Sequence, residues 1–254
     1  MPVDLGLLIL TAASIGCIHT LLGPDHYVPF VAMGAARRWS TQRTLWITAL
    51  CGLGHVGGSV AIGSVGIAVG ASLGRLEWFE GLRGDWAAWA LTGFGFAYLA
   101  WGLKKAARAR PHAHEHAHGD GAFHRHVHAH EGLHLHPHPH PHPHAGPLAP
   151  GTMPVPDGAL KSITPWALFV IFILGPCEPL IPVLMYPAAQ HSVAGTVAVV
   201  LAFAAATLAT MLAVVYLATR GLEKLPLDTA ERYSHALAGA ALSLCGLGIV
   251  FLGL

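Results

Sequence analysis

Apolar residues gather in six stretches, at roughly 5–33, 44–70, 86–103, 164–189, 193–218 and 234–254. About 20 consecutive apolar residues make a helix long enough to cross a bilayer. The pattern therefore predicts an all-α polytopic membrane protein with six transmembrane helices. The first and fourth stretches are interrupted. One holds "LGPDHYVPFVAM" (22–33) and the other "LGPCEPLIPVLM" (174–185). Gly-Pro breaks a helix, and at membrane depth a break is tolerated only where neighbouring protein or a lined cavity satisfies the freed backbone groups. Both breaks therefore mark protein-lined positions, and spans 1 and 4 are expected to be broken helices.

Composition supports this reading. The chain has 254 residues, 54% hydrophobic and 11% charged, with a mean hydropathy of +0.54. A soluble domain carries about 25% charged residues. The lipid bilayer is thus the expected partner; no basic stripe with aromatics points to nucleic acid. The four cysteines, Cys17, Cys51, Cys177 and Cys245, all lie in apolar runs without a CxxC pair, which argues against a secreted disulfide framework. The opening residues lack the basic start of a signal peptide, so 5–22 are expected to be retained.

Charge then orients the chain. Lys and Arg concentrate on the cytoplasmic side of membrane proteins. Twelve fall in the loops after spans 1, 3 and 5: Arg37, Arg38 and Arg43; Lys104, Lys105, Arg108, Arg110, Arg125 and Lys161; Arg220, Lys224 and Arg232. Arg75 and Arg83 are left for the other side. Both termini should lie outside a plasma (inner) membrane, with the long loop in the cytoplasm. Trp39, Trp78, Trp86 and Trp166 fall near span ends, as interfacial anchors do.

The two breaks correspond. At a shift of 152, "GPDHYVPFVAM" from Gly23 overlies "GPCEPLIPVLM" from Gly175 without a gap, and His55 overlies Thr207. At a shift of 151, "LTGFGFAYLAWGL" from Leu91 overlies "LSLCGLGIVFLGL" from Leu242. Three spans per half is an odd number, so the second copy would be inverted in the membrane. The expected organisation is repeat A at 1–104, a His-rich disordered cytoplasmic loop at 105–160, and repeat B at 161–254. Transporters of this build hold substrate where discontinuous helices meet near the midplane.

Ionisable groups inside a bilayer are costly and mark function by default. Here they are His19, Asp25 and His26 in span 1, His55 in span 2, and Cys177 with Glu178 in span 4. Imidazole, carboxylate and thiolate together suit a late first-row divalent metal. All six are candidate metal ligands, and the alignment brings Asp25-His26 and Cys177-Glu178 together across the repeat axis. The loop adds a second signal. Fourteen of the 19 histidines fall between Pro111 and His144, including His112, His114, His116, His118, His134, His136, His138, His140, His142 and His144. Such a tract binds metal by composition.

"HTLLGPDH", a histidine followed by Asp-His, resembles the signature of nickel/cobalt permeases. The six-span layout with a His-rich cytoplasmic loop is similar to nickel/cobalt efflux (NicO-like) proteins and urease-accessory-type membrane proteins. The spacing departs by one residue: five separate His19 from Asp25, where the permease motif has four. "LGPCEPLIP" also resembles the Pro-Cys segments of the disulfide-relay membrane proteins of cytochrome c biogenesis, although Asp25 stands where their first-half cysteine would be.

The resemblance implies a secondary transporter of Ni²⁺ or Co²⁺, with Zn²⁺ as a further candidate and efflux favoured over uptake. Alternatives are a thiol–disulfide electron conduit and a sulfite-type anion exporter. Besides metal ions, a soluble metal-delivery protein is a candidate partner. No P-loop, enzyme activity or resident cofactor is expected.

Overall fold

In a computed structural model of the chain, residues 4–108, 112–117, 123–128, 157–189, 193–224 and 231–253 are described. They are overwhelmingly helical. α1 (Leu5–Leu22) leads through a 3-10 turn at Pro24–His26 into α2 (Val28–Ala36), followed by α3 (Thr41–Ala68) and α4 (Leu73–Arg108). Strands β1 (His112–Ala117) and β2 (Phe123–His128) follow, and then α5 (Asp157–Leu174), α6 (Leu180–Ala189), α7 (Val193–Leu222) and α8 (Ser234–Leu252).

Among the described residues, four helical segments are long and apolar enough to cross a membrane: Leu5–Leu22, Thr41–Ala68, Val193–Leu222 and Glu231–Leu252. Leu10, Leu22, Trp46, Leu201 and Leu244 are each more than half exposed on these helices. A water-facing surface would not carry so much apolar side chain in continuous faces, whereas lipid accepts it. The chain is a helical membrane protein.

The other two expected spans differ from a simple crossing. Stretch 86–103 is the second half of a much longer helix, α4, whose first half carries Arg75, Glu77, Glu80, Arg83 and Asp85. Stretch 164–189 divides: the apolar run Thr164–Leu174 ends α5, and the chain restarts as α6.

Local chemistry sets the breaks. Asp4 caps α1 by accepting from the Gly6 amide at 2.9 Å, satisfying one of the orphan donors of a helix start. At the other end Pro24 has no amide proton to continue the ladder. The Gly23 amide closes α1 on the His19 carbonyl at 3.0 Å, and the amides of His26 and Tyr27 then donate to the Gly23 and Pro24 carbonyls. The second break repeats this logic. The Gly175 amide closes α5 on the Ile171 carbonyl, Pro176 stops the helix, and the amides of Leu180 and Ile181 donate to the carbonyls of Cys177 and Glu178.

Packing is closest between α4 and α8. A Cβ on Gly95 would collide with Ser243, and one on Gly246 would collide with Thr92. Small residues permit such backbone contact between membrane helices. The two contacts are reciprocal: Thr92 and Ser243, like Gly95 and Gly246, stand 151 residues apart. α1 packs along α7, and α3 along α5 and α7. One core cluster gathers Phe30, Met33, Leu168, Phe172, Met211 and Leu242; a second gathers Ala12, Val56, Cys177, Leu180, Val199 and Phe203.

Part of the His-rich segment forms an antiparallel ladder, where composition predicts no regular structure. Its register sets His112 opposite His128, His114 opposite His126, and His116 opposite His124. The alternation "HAHEHA" and "FHRHVH" fits a two-residue strand period. In the intervening register Glu115 stands opposite Arg125. His118 and His134 through His144 lie outside the described residues.

Candidate metal centre

The first break assembles the site. On a continuous helix His19 and His26 would stand about 10 Å apart along the axis. The turn at Gly23-Pro24 folds the chain so that their ring centroids lie 4.7 Å apart, at an interplanar angle of 81°. His55, from the middle of α3, also approaches His26, with centroids at 5.0 Å and an angle of 88°. His26 and His55 are buried, 2% exposed each, and His19 is half-buried.

One ligand atom from each of the three histidines lies within 4.8 Å of the others. The Nε2 atoms of His19, His26 and His55 are all buried without a hydrogen-bond partner among the described residues. An unsatisfied buried polar atom costs about 1–3 kcal/mol. Three rings this close together, each with such an atom, are costly unless something binds among them. Imidazole nitrogens hold a metal such as zinc at about 2.0–2.1 Å, so a modest inward shift of the rings would close them on one ion.

Asp25 supports this arrangement from behind. The Nδ1 of His26 faces two oxygens, Asp25 Oδ1 at 3.0 Å and the Gly23 carbonyl at 3.1 Å. Both are acceptors, so Nδ1 carries the proton and donates. The lone pair of the neutral ring is then at Nε2, which is buried and without a partner among the described residues. A carboxylate behind a ligating histidine fixes tautomer and ring orientation in many metal sites. Asp25 is therefore placed as the orienter of His26.

Gly23 makes the turn tight enough. A Cβ there would stand 2.6 Å from His26 Nδ1 and 2.7 Å from Asp25 Oδ1. Its φ of −88° is open to any residue, so the constraint is steric.

Three of the six expected ligands, His19, His26 and His55, are brought together, and Asp25, expected as a ligand, instead pairs with His26 Nδ1. Cys177 and Glu178 are not part of this group. The Cys177 side chain is fully buried in the second apolar cluster, and Glu178 is exposed. The second half offers no mirrored counterpart: the positions corresponding to His19, His26 and His55 are Ile171, Glu178 and Thr207, none of them a histidine.

The second break nonetheless forms a wall of the centre. Phe172 lies with its ring centroid 6.3 Å from that of His55. The position of a Cβ on Gly175 would be 3.3 Å from His55 Nδ1. Behind this wall stand Glu80 and Arg83 of α4. Hydropathy alone misses both, because Glu80 falls between apolar stretches and Arg83 counts as a loop residue. Arg83 instead lies within α4, 11% exposed, paired with the fully buried carboxylate of Glu80. The signal that finds them is an acid and a base at i and i+3 in line with Leu76, Gly84, Ala87 and Leu91, the buried stripe of α4.

These features define a helical membrane protein with a buried three-histidine centre at a helix break. No family model matches the chain, and no match is found among curated proteins or among solved structures.

Proposed function

We propose that the protein is a secondary transporter of a divalent late first-row metal, Ni²⁺ or Co²⁺, with efflux favoured over uptake. The observation that carries this reading is a group of three histidines with ligand atoms within 4.8 Å of one another, each ring also holding a buried, unpartnered Nε2, at a helix break between apolar helices. Imidazole ligands suit nickel, cobalt and zinc, while magnesium and calcium call for oxygen. A purely structural metal site would not need a broken helix. A passing ion favours one, because it has to enter and leave.

In this reading His19, His26 and His55 hold the ion and Asp25 holds the tautomer of His26. The six-span inverted repeat is part of the proposal. It is supported by the matched order of two broken helices, each followed by two long ones, and by the reciprocal Gly95–Ser243 and Gly246–Thr92 contacts. Rocking of one half on the other would expose the centre to each side in turn. Neutral imidazole binds metal and imidazolium does not, so proton entry at the centre would favour release. The His-rich segment, on the cytoplasmic side by the distribution of Lys and Arg, would collect ions for the centre. Its three cross-strand histidine pairs support that role.

The test is the Ni, Co and Zn content of cells expressing the intact chain or His26→Ala. A change in nickel or cobalt that His26→Ala abolishes is expected, a fall indicating efflux. Unchanged content of all three metals would refute metal transport.

A further inference from the structure

The break after α5 frees three carbonyls in an apolar bundle, and one side chain collects them all. Arg83 donates from Nη2 to the carbonyls of Ile173 at 3.1 Å and Gly175 at 2.8 Å, and from Nε to that of Leu174 at 3.2 Å. Its Nη1 pairs with Glu80. The other side of the break is held by the same acid: the Cys177 amide donates to Glu80 Oε2 at 3.3 Å and to Ser59 Oγ at 3.0 Å, while the Ser59 hydroxyl donates to Glu80 Oε2 at 2.8 Å. One ion pair on α4 thus grips the carbonyl end and the amide end of a single break.

Ser59 lies one turn beyond His55 on α3, so this grip also ties α3 to the broken end of α5. Gly58 makes room for it. A Cβ there would stand 3.2 Å from the Ile173 carbonyl and 3.3 Å from Arg83 Nη2. On the α4 side, a Cβ on Gly84 would stand 2.8 Å from Pro176. The gripped segment is the one that sets Gly175 against His55. Arg is the residue for this task, because its planar fork donates in several fixed directions and lysine's point charge does not.

We infer that Glu80 and Arg83 are positioning residues of the histidine centre: they fix the second helix break against His55 and so set metal affinity without touching the ion. This rests on the metal reading of the centre. The ion pair is therefore tested with one readout that depends on metal and one that does not.

The test uses the full-length protein in detergent with histidines 112–144 replaced by asparagine, as such or carrying Arg83→Lys or Glu80→Gln. The first readout is Co²⁺ titration followed by visible absorption. Both variants should bind about 10–100-fold more weakly, the range seen when outer partners of metal ligands are lost, with an altered ligand-field spectrum. The second readout is alkylation of Cys177 by a maleimide, without metal, after Cys17→Ala, Cys51→Ala and Cys245→Ala. Cys177 should be inert in the parent and labelled in the variants. A merely structural pair would lower the yield of folded protein and leave the affinity and spectrum of the monodisperse fraction unchanged. That result in both variants would overturn the inference, as would an inert Cys177 in both. Absence of Co²⁺ binding by the parent would instead refute the metal reading, with the alkylation still reporting whether the ion pair holds the break.

Discussion

At the scale of single residues, Gly23, Asp25 and His26 act as one unit. Gly23→Ala adds a methyl 2.6 Å from the His26 ring, too close for the ring to keep its place. Asp25→Asn keeps the shape and removes the charge behind His26 Nδ1. Both should lower metal affinity, Asp25→Asn by about 10–100-fold, with the far-ultraviolet circular dichroism unchanged; equilibrium dialysis against Ni²⁺ measures it. Affinity at wild-type level in Asp25→Asn would show that the carboxylate does not orient a ligand. Much of this unit is legible in the sequence, since an acid and two histidines beside Gly-Pro in an apolar run are too costly at membrane depth to persist without a task. The inward side of each ring is not legible, because it depends on how far the turn folds α1 back.

At the scale of elements, the sequence shows the breaks plainly and the extent of α4 poorly. Residues 73–85 hold five charged side chains, so hydropathy ends the span near 86. A helix nevertheless forms, because Glu80 and Arg83 satisfy each other and the neighbouring backbone. The β1–β2 ladder is another element that composition alone conceals: residue counts see a His-rich tract, whereas the register sets histidine opposite histidine at three positions. An isolated two-stranded hairpin is marginal in water, so metal bridging across the ladder should protect it. Hydrogen–deuterium exchange over 112–128 in the full-length protein should slow when Zn²⁺ is added. Exchanging each of Phe123/His124, Arg125/His126 and Val127/His128 keeps the composition and takes three histidines out of register with those of β1; protection should then vanish. Equal protection in both proteins would mean that composition, not register, binds the metal. Close α4–α8 contact yields a further expectation. Gly239→Leu, where any Cβ would run into the Leu99 backbone, should sharply reduce the yield of folded protein by size-exclusion chromatography.

At the scale of the whole molecule, internal similarity and the placement of the histidines diverge. The two breaks share Gly-Pro and a position in their halves, and that similarity suggests a site shared across the axis. The histidines come instead from one half, on α1, the following turn and α3. The other half supplies the enclosing wall, through the end of α5 that Arg83 caps. Physically, a break at membrane depth has to satisfy its backbone in either half. The first does so in a turn that also carries Asp25 and His26, and the second through an ion pair from α4. The sequence reveals that two breaks exist; how each is satisfied emerges only from the partners each one finds.

Metal–ligand distances and ligand types in the loaded centre bear most directly on this picture. X-ray absorption at the zinc edge is the measurement, on protein carrying one equivalent of Zn²⁺ with histidines 112–144 replaced by asparagine. A shell of nitrogen or oxygen at about 2.0–2.1 Å, with the outer scattering of three imidazoles and no sulfur at about 2.3 Å, is expected. It should be lost in His19→Ala/His26→Ala/His55→Ala. A sulfur shell, or an unchanged spectrum after the triple substitution, would contradict a three-histidine centre.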